Sequence, residues 1–349
     1  MNKRNLLVTL ADKNYILQAR QLFSSVYWNA GWDGDYMLMA HDVAEEDLQW
    51  FRNKGFLIKE CKNLYHGKMG YREYSTSVLD KFYLFTEEFK KWEHVVFLDG
   101  DMIVRANIDR LTRTNSFSSP KTCKDYFKYY FAKSEGPELA MLEKEYNLKR
   151  PAFNSGVMCY NTQIIKDHTF DDLLAVFYKY ANICESDDAI LNLYFYRQWT
   201  KIPMVFNVLV HNFGLKNYNN AIILHFNKPA NFRDKNLRPW EEGNHYYNEW
   251  KANLDKAELM DLQKVQAGKK WGFFKINYYS LLLNLWIYLN IIIQKLQGFY
   301  HDFFKNYLKY RVRYLFLYTI QTPGRIAGTI GQYIKKRNPG LYNRFKTKR

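Results

Sequence analysis

The chain has 349 residues, 47% hydrophobic and 25% charged, enough for one large α/β domain with an appendage and inconsistent with a disordered polypeptide. Its 51 Lys and Arg against 35 Asp and Glu leave a net +16, which favours an anionic partner: nucleic acid, acidic lipid or a phosphorylated substrate. Four scattered cysteines (Cys61, Cys123, Cys159, Cys184) form neither a close metal-ligand pair nor a secreted disulfide framework, so a reduced compartment is expected.

The segment Met1-Asn2-Lys3-Arg4-Asn5 leads straight into an apolar stretch with no signal-peptide core and no leading span, so neither export nor an N-terminal anchor is expected. Leu6 to Leu10 reads as a first strand, Ala11 to Tyr15 as a polar loop and Ile16 to Tyr27 as a helix with apolar positions at helical spacing. The glycine-rich phosphate loop of dinucleotide and P-loop folds is absent. Tyr36 to Ala40 suggests a second strand, Ala44 to Asn53 a second helix, and Ser75 to Phe89 a further helical stretch.

His94-Val95-Val96-Phe97-Leu98 then reads as a strand buried on both faces in the middle of a parallel sheet. Open α/β sheets bind ligands beyond the carboxyl ends of such strands, where Asp99 and Asp101 stand. Gly100 between them lets the chain turn so that both acids aim at one cation, and hard oxygen ligands suit Mg²⁺ or Mn²⁺ bridging to a phosphate. On these residues alone, a plain Asp-Gly-Asp turn after a core strand weighs as much.

Arg113 to Arg150 reads as a polar, aromatic surface excursion with the makings of a lid. Phe153-Asn154-Ser155-Gly156 is a corner that brings backbone and short polar groups close to something, and Val157 to Tyr160 is a strand. Asp171 to Tyr180 is helical, and Asp187-Asp188 opens another helix, where a capping carboxylate needs no chemistry to explain it. Ala221 to Phe226 is a short strand ending at His225. A single histidine there is usually structural; it becomes a ligand candidate because the acid pair asks for a third donor.

Taken in order, Asp12-Lys13-Asn14-Tyr15, Leu79-Asp80-Lys81, Phe97-Leu98-Asp99-Gly100-Asp101, Phe153-Asn154-Ser155-Gly156-Val157, Asp187-Asp188-Ala189-Ile190-Leu191-Asn192, His225-Phe226 and Arg238-Pro239-Trp240 resemble glycosyltransferase family 8, over roughly the first two-thirds of the chain. The family includes glycogenin and bacterial lipopolysaccharide galactosyl- and glucosyltransferases. The resemblance implies a GT-A fold, a single Rossmann-like α/β domain with a mixed, mostly parallel sheet. It also implies a UDP-hexose donor, Mn²⁺ (or Mg²⁺), and transfer with retention to a glycan or glycolipid acceptor.

Carried over by position, Asp12 and Asn14 would hold the uracil edge and Tyr15 its face. Asp99, Gly100 and Asp101 would meet the metal and the ribose end of the donor, with His225 as third ligand. Lys81, Asn154, Ser155 and Asp187 would hold the donor sugar, and Arg238 the diphosphate in place of the family's usual lysine, with Lys228 sharing that task. The family's usual Asp-Gln is Asp187-Asp188 here, so Asp188 could act as nucleophile or as stabiliser of an oxocarbenium-like charge, while a front-face route assisted by UDP weighs at least as much. The chemistry suits these residue types: charge builds on the departing diphosphate, and cations aimed there stabilise it.

From Lys269 onward the composition changes. Ile276 to Ile293 is an apolar helix of near-spanning length, but Asn277, Ser280, Asn284 and Gln294 fall towards one face, which reads as amphipathic and interfacial. Basic residues interleaved with aromatics follow to Arg349, suited to anionic headgroups, as in basic, aromatic membrane-attaching ends of bacterial relatives. The expected organisation is a catalytic domain over 1–250, a linker over 251–270 and a membrane-associating helical region over 271–349. The protein would sit peripherally on the cytoplasmic face of the inner membrane. Three rivals remain: a haloacid-dehalogenase-type Mg²⁺ phosphatase with Asp99 as nucleophile, a basic nucleic-acid-binding protein (no such module is recognisable), and a sugar-binding relative without turnover.

Overall fold

The computed structural model describes residues 4–67, 75–122, 126–131, 137–184, 186–213, 218–227 and 238–297. The chain begins with a parallel half-sheet: β1 (Leu6–Asp12), α1 (Ile16–Ser25), β2 (Asp35–His41), α2 (Glu45–Lys54) and β3 (Leu57–Cys61). β4 (His94–Leu98) joins it beside β1, and β5 (Met102–Val104) leaves for a second sheet. β6 (Phe117–Pro120), α3 (Pro137–Glu145), β7 (Val157–Asn161), α4 (Thr169–Tyr180), α5 (Asp187–Tyr194) and β8 (Trp199–Ile202) complete the large sheet and its cover. β9 (Val208–Leu209), α6 (Val210–Phe213), β10 (Ile223–His225), α7 (Tyr247–Lys256) and α8 (Phe273–Gln297) follow. Among the described residues the large sheet runs β3-β2-β1-β4-β7-β6-β8 with β7 alone reversed, and the small one β5-β10-β9. This is a mixed, mostly parallel sheet with flanking helices, as in a GT-A-like Rossmann fold.

β4 shows why its sequence is apolar from Val95 to Leu98. Successive strand residues point to opposite faces, so Val96 and Leu98 enter the core on one side while Val95 and Phe97 enter the core on the other. Its neighbours are parallel β1 and antiparallel β7, so the sheet around it is mixed, as the resemblance implies. The 76–91 region is helical as expected but wound as two 3₁₀ turns, Thr76–Phe85 and Glu87–Lys91, and Ser75 Oγ accepts the Ser77 N–H at its start.

One expectation needs correction. The 113–150 stretch is not simply a surface excursion, because Phe117–Pro120 is a buried strand between β7 and β8, and Phe127, Tyr130 and Phe131 are core residues. The chain around 250–268 packs closely on the rest of the fold. Residue 250 lies inside α7, and Trp250 and Asn253 are buried. The chain near 266–268 is clamped against the end of the first helical region, where a side chain at Gly31 (φ +64°) would strike the Gln266 carbonyl. In α8, Ile276, Leu283, Trp286 and Ile287 join the same buried cluster as Leu7 of β1 and Val96 of β4.

Candidate functional site

The site assembles from the ends of five elements. Asp12 ends β1, Asp99-Gly100-Asp101 links β4 to β5, Asn154-Ser155-Gly156 precedes β7, Asp187-Asp188 opens α5, and His225 ends β10. Backbone bonds pin the pieces: Asp99 N–H donates to the Gly156 carbonyl at 2.9 Å, and Phe226 N–H to the Asp101 carbonyl at 3.0 Å. Asn192 clamps the corner from below, accepting Phe153 N–H (2.9 Å) and donating to the carbonyls of Phe153 (3.0 Å) and Asp188 (2.8 Å).

His225 Nε2 lies 3.2 Å from Asp101 Oδ1 and 3.8 Å from Asp99 Oδ2. One ligand atom from each of the three residues falls within 4.8 Å of the others, the spacing of donors around a single ion. Two carboxylates with one imidazole suit Mn²⁺ or Mg²⁺ better than softer metals. Gly156 forms the floor of this cradle: a Cβ there would stand 2.5 Å from His225 Cε1 and 2.9 Å from Asp99 Oδ2. Gly100, by contrast, supplies no left-handed turn, and a Cβ there would make ordinary contact with Tyr15 at 3.5 Å, so the conformational reason given for it does not hold.

A second group adjoins the first. The Lys81 amine sits 2.9 Å from both Asp99 Oδ1 and Asp187 Oδ2 and donates to Ser155 Oγ at 3.4 Å. Ser155 Oγ donates to Asp187 Oδ2 and its backbone N–H to Asp188 Oδ1, each at 2.6 Å. Just before Lys81, the fully buried Asp80 meets His41 Nδ1 at 2.6 Å, bracing the segment that delivers the lysine.

Burial opposes charge throughout. It holds Asp99 above the usual carboxylate range despite Lys81 and His225. Asp101 is buried as well, but His225, close and hydrogen-bonded to it, brings it below that range. Burial pulls His225 down, and Asp101 and Asp99 outweigh it, so the imidazole is raised. Burial and the Asp187 charge push Asp188 up to about 6 against the opposing Lys81. Lys81 is raised: burial lowers it, and Asp187 and Asp99 overcome the burial.

At the end of β1, Asp12 Oδ1 accepts Asn14 N–H at 2.9 Å, and Tyr15 meets Trp240 edge-to-face at 6.0 Å. Burial, then the Asp101 charge, raise Tyr15 to about 12, and Arg238 opposes them, which puts Arg238 within electrostatic reach of the site. The Arg238 guanidinium lies over Trp240, 5.5 Å from its centroid. Lys228 lies outside the described residues.

Asn207 was not anticipated. Its Oδ1 accepts from His225 Nδ1 at 2.8 Å and its Nδ2 donates to Asn154 Oδ1 at 2.8 Å, while the residue itself is 1% exposed. Holding Nδ1 as the protonated nitrogen leaves Nε2 free to face the acids, the usual task of a partner behind a metal-binding imidazole. The phosphatase reading is overturned. Such an enzyme carries its acid pair after the first strand of the domain, whereas β1, β2 and β3 precede β4 here, and it gives no role to His225 with the Asn207 amide behind it.

The family model described as Glycosyl transferase family 8 matches residues 6–242. Galactinol synthase 6 of Arabidopsis thaliana is 24% identical over 247 residues, covering 67% of this chain and 69% of its own. Among solved structures, the bifunctional glycosyltransferase WbbM superposes with a TM-score of 0.55 at 18% identity over 73% of this chain, which spans only 50% of WbbM. The galactosyltransferase LgtC, solved with donor and acceptor sugar analogs, gives 0.55 at 15% identity over 72% of this chain and 95% of its own. GlyE of Streptococcus pneumoniae TIGR4 gives 0.50 at 19% identity over 81% and 73%. The structural likenesses speak for the fold and the family match for the lineage: this chain belongs to glycosyl transferase family 8 and is a glycosyltransferase enzyme.

Proposed function

We propose that the protein transfers glucose or galactose from the UDP-sugar to a glycan acceptor, a lipid-linked precursor of lipopolysaccharide or another surface polysaccharide, with retention of configuration. The observation that carries this reading is the meeting of Asp99, Asp101 and His225 beside the Lys81 amine. Asp12 and Asn14 take the polar edge of uracil and Tyr15 its face, since a nucleobase offers both. Asp99 and Asp101 with His225 hold Mn²⁺, which, when bound, neutralises charge on the departing diphosphate. Arg238, with Lys228, adds positive charge to the same oxygens.

Lys81, Asn154, Ser155 and Asp187 orient the sugar hydroxyls. The Ser155 N–H holds Asp188 Oδ1 and so orients this carboxylate, which faces the anomeric carbon. It stabilises positive charge developing there, whichever face the acceptor hydroxyl takes. The long apolar α8 and the basic, aromatic composition beyond it support a peripheral place on the cytoplasmic face of the inner membrane.

A thermal-shift panel of UDP-sugars with and without Mn²⁺ tests the donor. Ligand at a hundred times its Kd stabilises by about 2.7 kcal/mol, a rise of several degrees in Tm. UDP-glucose or UDP-galactose with Mn²⁺ should give that rise, and GDP-sugars should not. A protein indifferent to every UDP-sugar would contradict the assignment.

A further inference from the structure

α8 presents two unlike faces. The inner face carries Ile276, Ser280, Leu283, Trp286, Ile287 and Ile293, all buried, and rests on the turn Met204–Phe206, where Ser280 Oγ accepts the Val205 N–H at 3.4 Å. The outer face carries Phe274, Tyr278, Leu281, Leu285, Tyr288 and Ile292, each between 44% and 87% exposed. These recur at every third or fourth residue, so they form one line, roughly 27 Å long at 1.5 Å per residue. The polar residues expected to face water turn the other way: besides Ser280, Asn284 accepts from the Lys201 amine at 3.1 Å and donates to the Ser280 carbonyl. A soluble helix shows the reverse pattern.

Cations from distant parts of the catalytic domain border this line from end to end. The Arg110 guanidinium lies 5.4 Å from the Phe273 ring centroid at its start, and the Lys121 amine 5.7 Å from that of Tyr288 towards its end, with Lys201 between. Burial and the neighbouring Lys121 charge pull Lys201 below the usual lysine range, so a nearby anion would relieve both. No Asp or Glu occurs from Leu262 to Gln297, and residues 298–349 contain 12 Lys and Arg against the single acid Asp302.

We propose that the outer face of α8 is the seat of this protein on an anionic bilayer, the helix lying flat at the boundary of headgroups and acyl chains, with Arg110, Lys121 and Lys201 against the lipid phosphates. This deepens the membrane placement proposed above and rests on it. Over Phe273–Ile293, α8 is long and apolar enough to span a bilayer. Spanning, however, would either strip its inner face from Met204–Phe206 or, with that contact kept, draw the Lys201 amine into hydrocarbon. Lying flat buries the apolar line and leaves every cation at the phosphates.

The test is sedimentation of the full chain with vesicles of phosphatidylglycerol and phosphatidylethanolamine, against pure phosphatidylcholine, at 0.1 M salt. The unaltered protein should pellet with the anionic vesicles. Leu281→Asp with Leu285→Asp should lower partitioning at least tenfold without changing the UDP-sugar thermal shift, which shows that the fold is intact. Lys121→Glu with Lys201→Glu should weaken binding to the anionic vesicles and flatten its salt dependence. If the leucine pair is changed and the protein binds as before, another surface carries attachment: this seat is wrong and the membrane placement survives. An unaltered protein that pellets with neither vesicle sinks both. A solution dimer that falls apart on the leucine substitutions assigns the face to a second copy and overturns the proposal.

Discussion

Asp101→Ala is expected to lower Mn²⁺-dependent turnover by about a thousandfold, the scale on which preorganised electrostatic groups act, while leaving the melting curve close to that of the unaltered protein. The fold should survive because the structural contact at this position is made by the backbone, whose carbonyl accepts the Phe226 N–H whatever the side chain. The side chain itself does one thing, setting a carboxylate 3.2 Å from His225 Nε2. Losing it leaves an imidazole still held by the Asn207 amide, which is tolerable, and an ion site short of one of three ligands, which is not. Rates measured across a Mn²⁺ titration separate a weakened site from a destroyed one. Turnover near the original level at saturating donor would show that Asp101 holds no essential ion.

Asp188→Asn is expected to act on stability and rate in opposite directions. The folded carboxyl titrates at about 6, because burial and Asp187 disfavour its charge, and the unfolded one near 3.9. The folded state therefore holds its proton more tightly, so this group's contribution to stability is fully present below the unfolded value and is lost as pH rises through 6. Asparagine removes that cost and still offers an oxygen to the Ser155 N–H. The D188N protein should melt a few degrees higher at pH 7.5, with the difference fading below about pH 4. Its kcat should fall by about 100-fold, and the acid limb near pH 6 in the kcat profile should vanish. A limb that persists in D188N belongs to another group, and an unchanged kcat would remove Asp188 from the chemistry.

Both expectations rest on residues that were legible in the sequence, and the reason is physical. β4 is buried on both faces, so its run of four apolar residues announces it, and the acids that follow stand out because carboxylates beyond a core strand need a purpose. Strands at or near the sheet edge leave no such mark. β3 is half exposed, β6 is Phe-Ser-Ser-Pro and β8 alternates weakly, so none carries an apolar run, and sheet pairing places them. Asn207 was invisible for a related reason. A lone amide after an apolar turn has no motif, and only the fold brings it to His225 and Asn154. For α8 the sequence showed a periodic helix, but which face turned outward depended on Met204–Phe206 and Lys201, more than seventy residues earlier.

The central claim is that the imidazole at 225 and the donor's diphosphate share one ion with the two acids. Pulsed electron paramagnetic resonance of the Mn²⁺-loaded protein with UDP reads both neighbours at once, through coupling of the manganese electrons to ¹⁴N and to ³¹P. The expected spectrum shows a directly bound histidine nitrogen, absent in His225→Ala, together with phosphorus coupling that appears only when UDP is added. A spectrum lacking histidine nitrogen, or lacking phosphorus at saturating UDP, would contradict it.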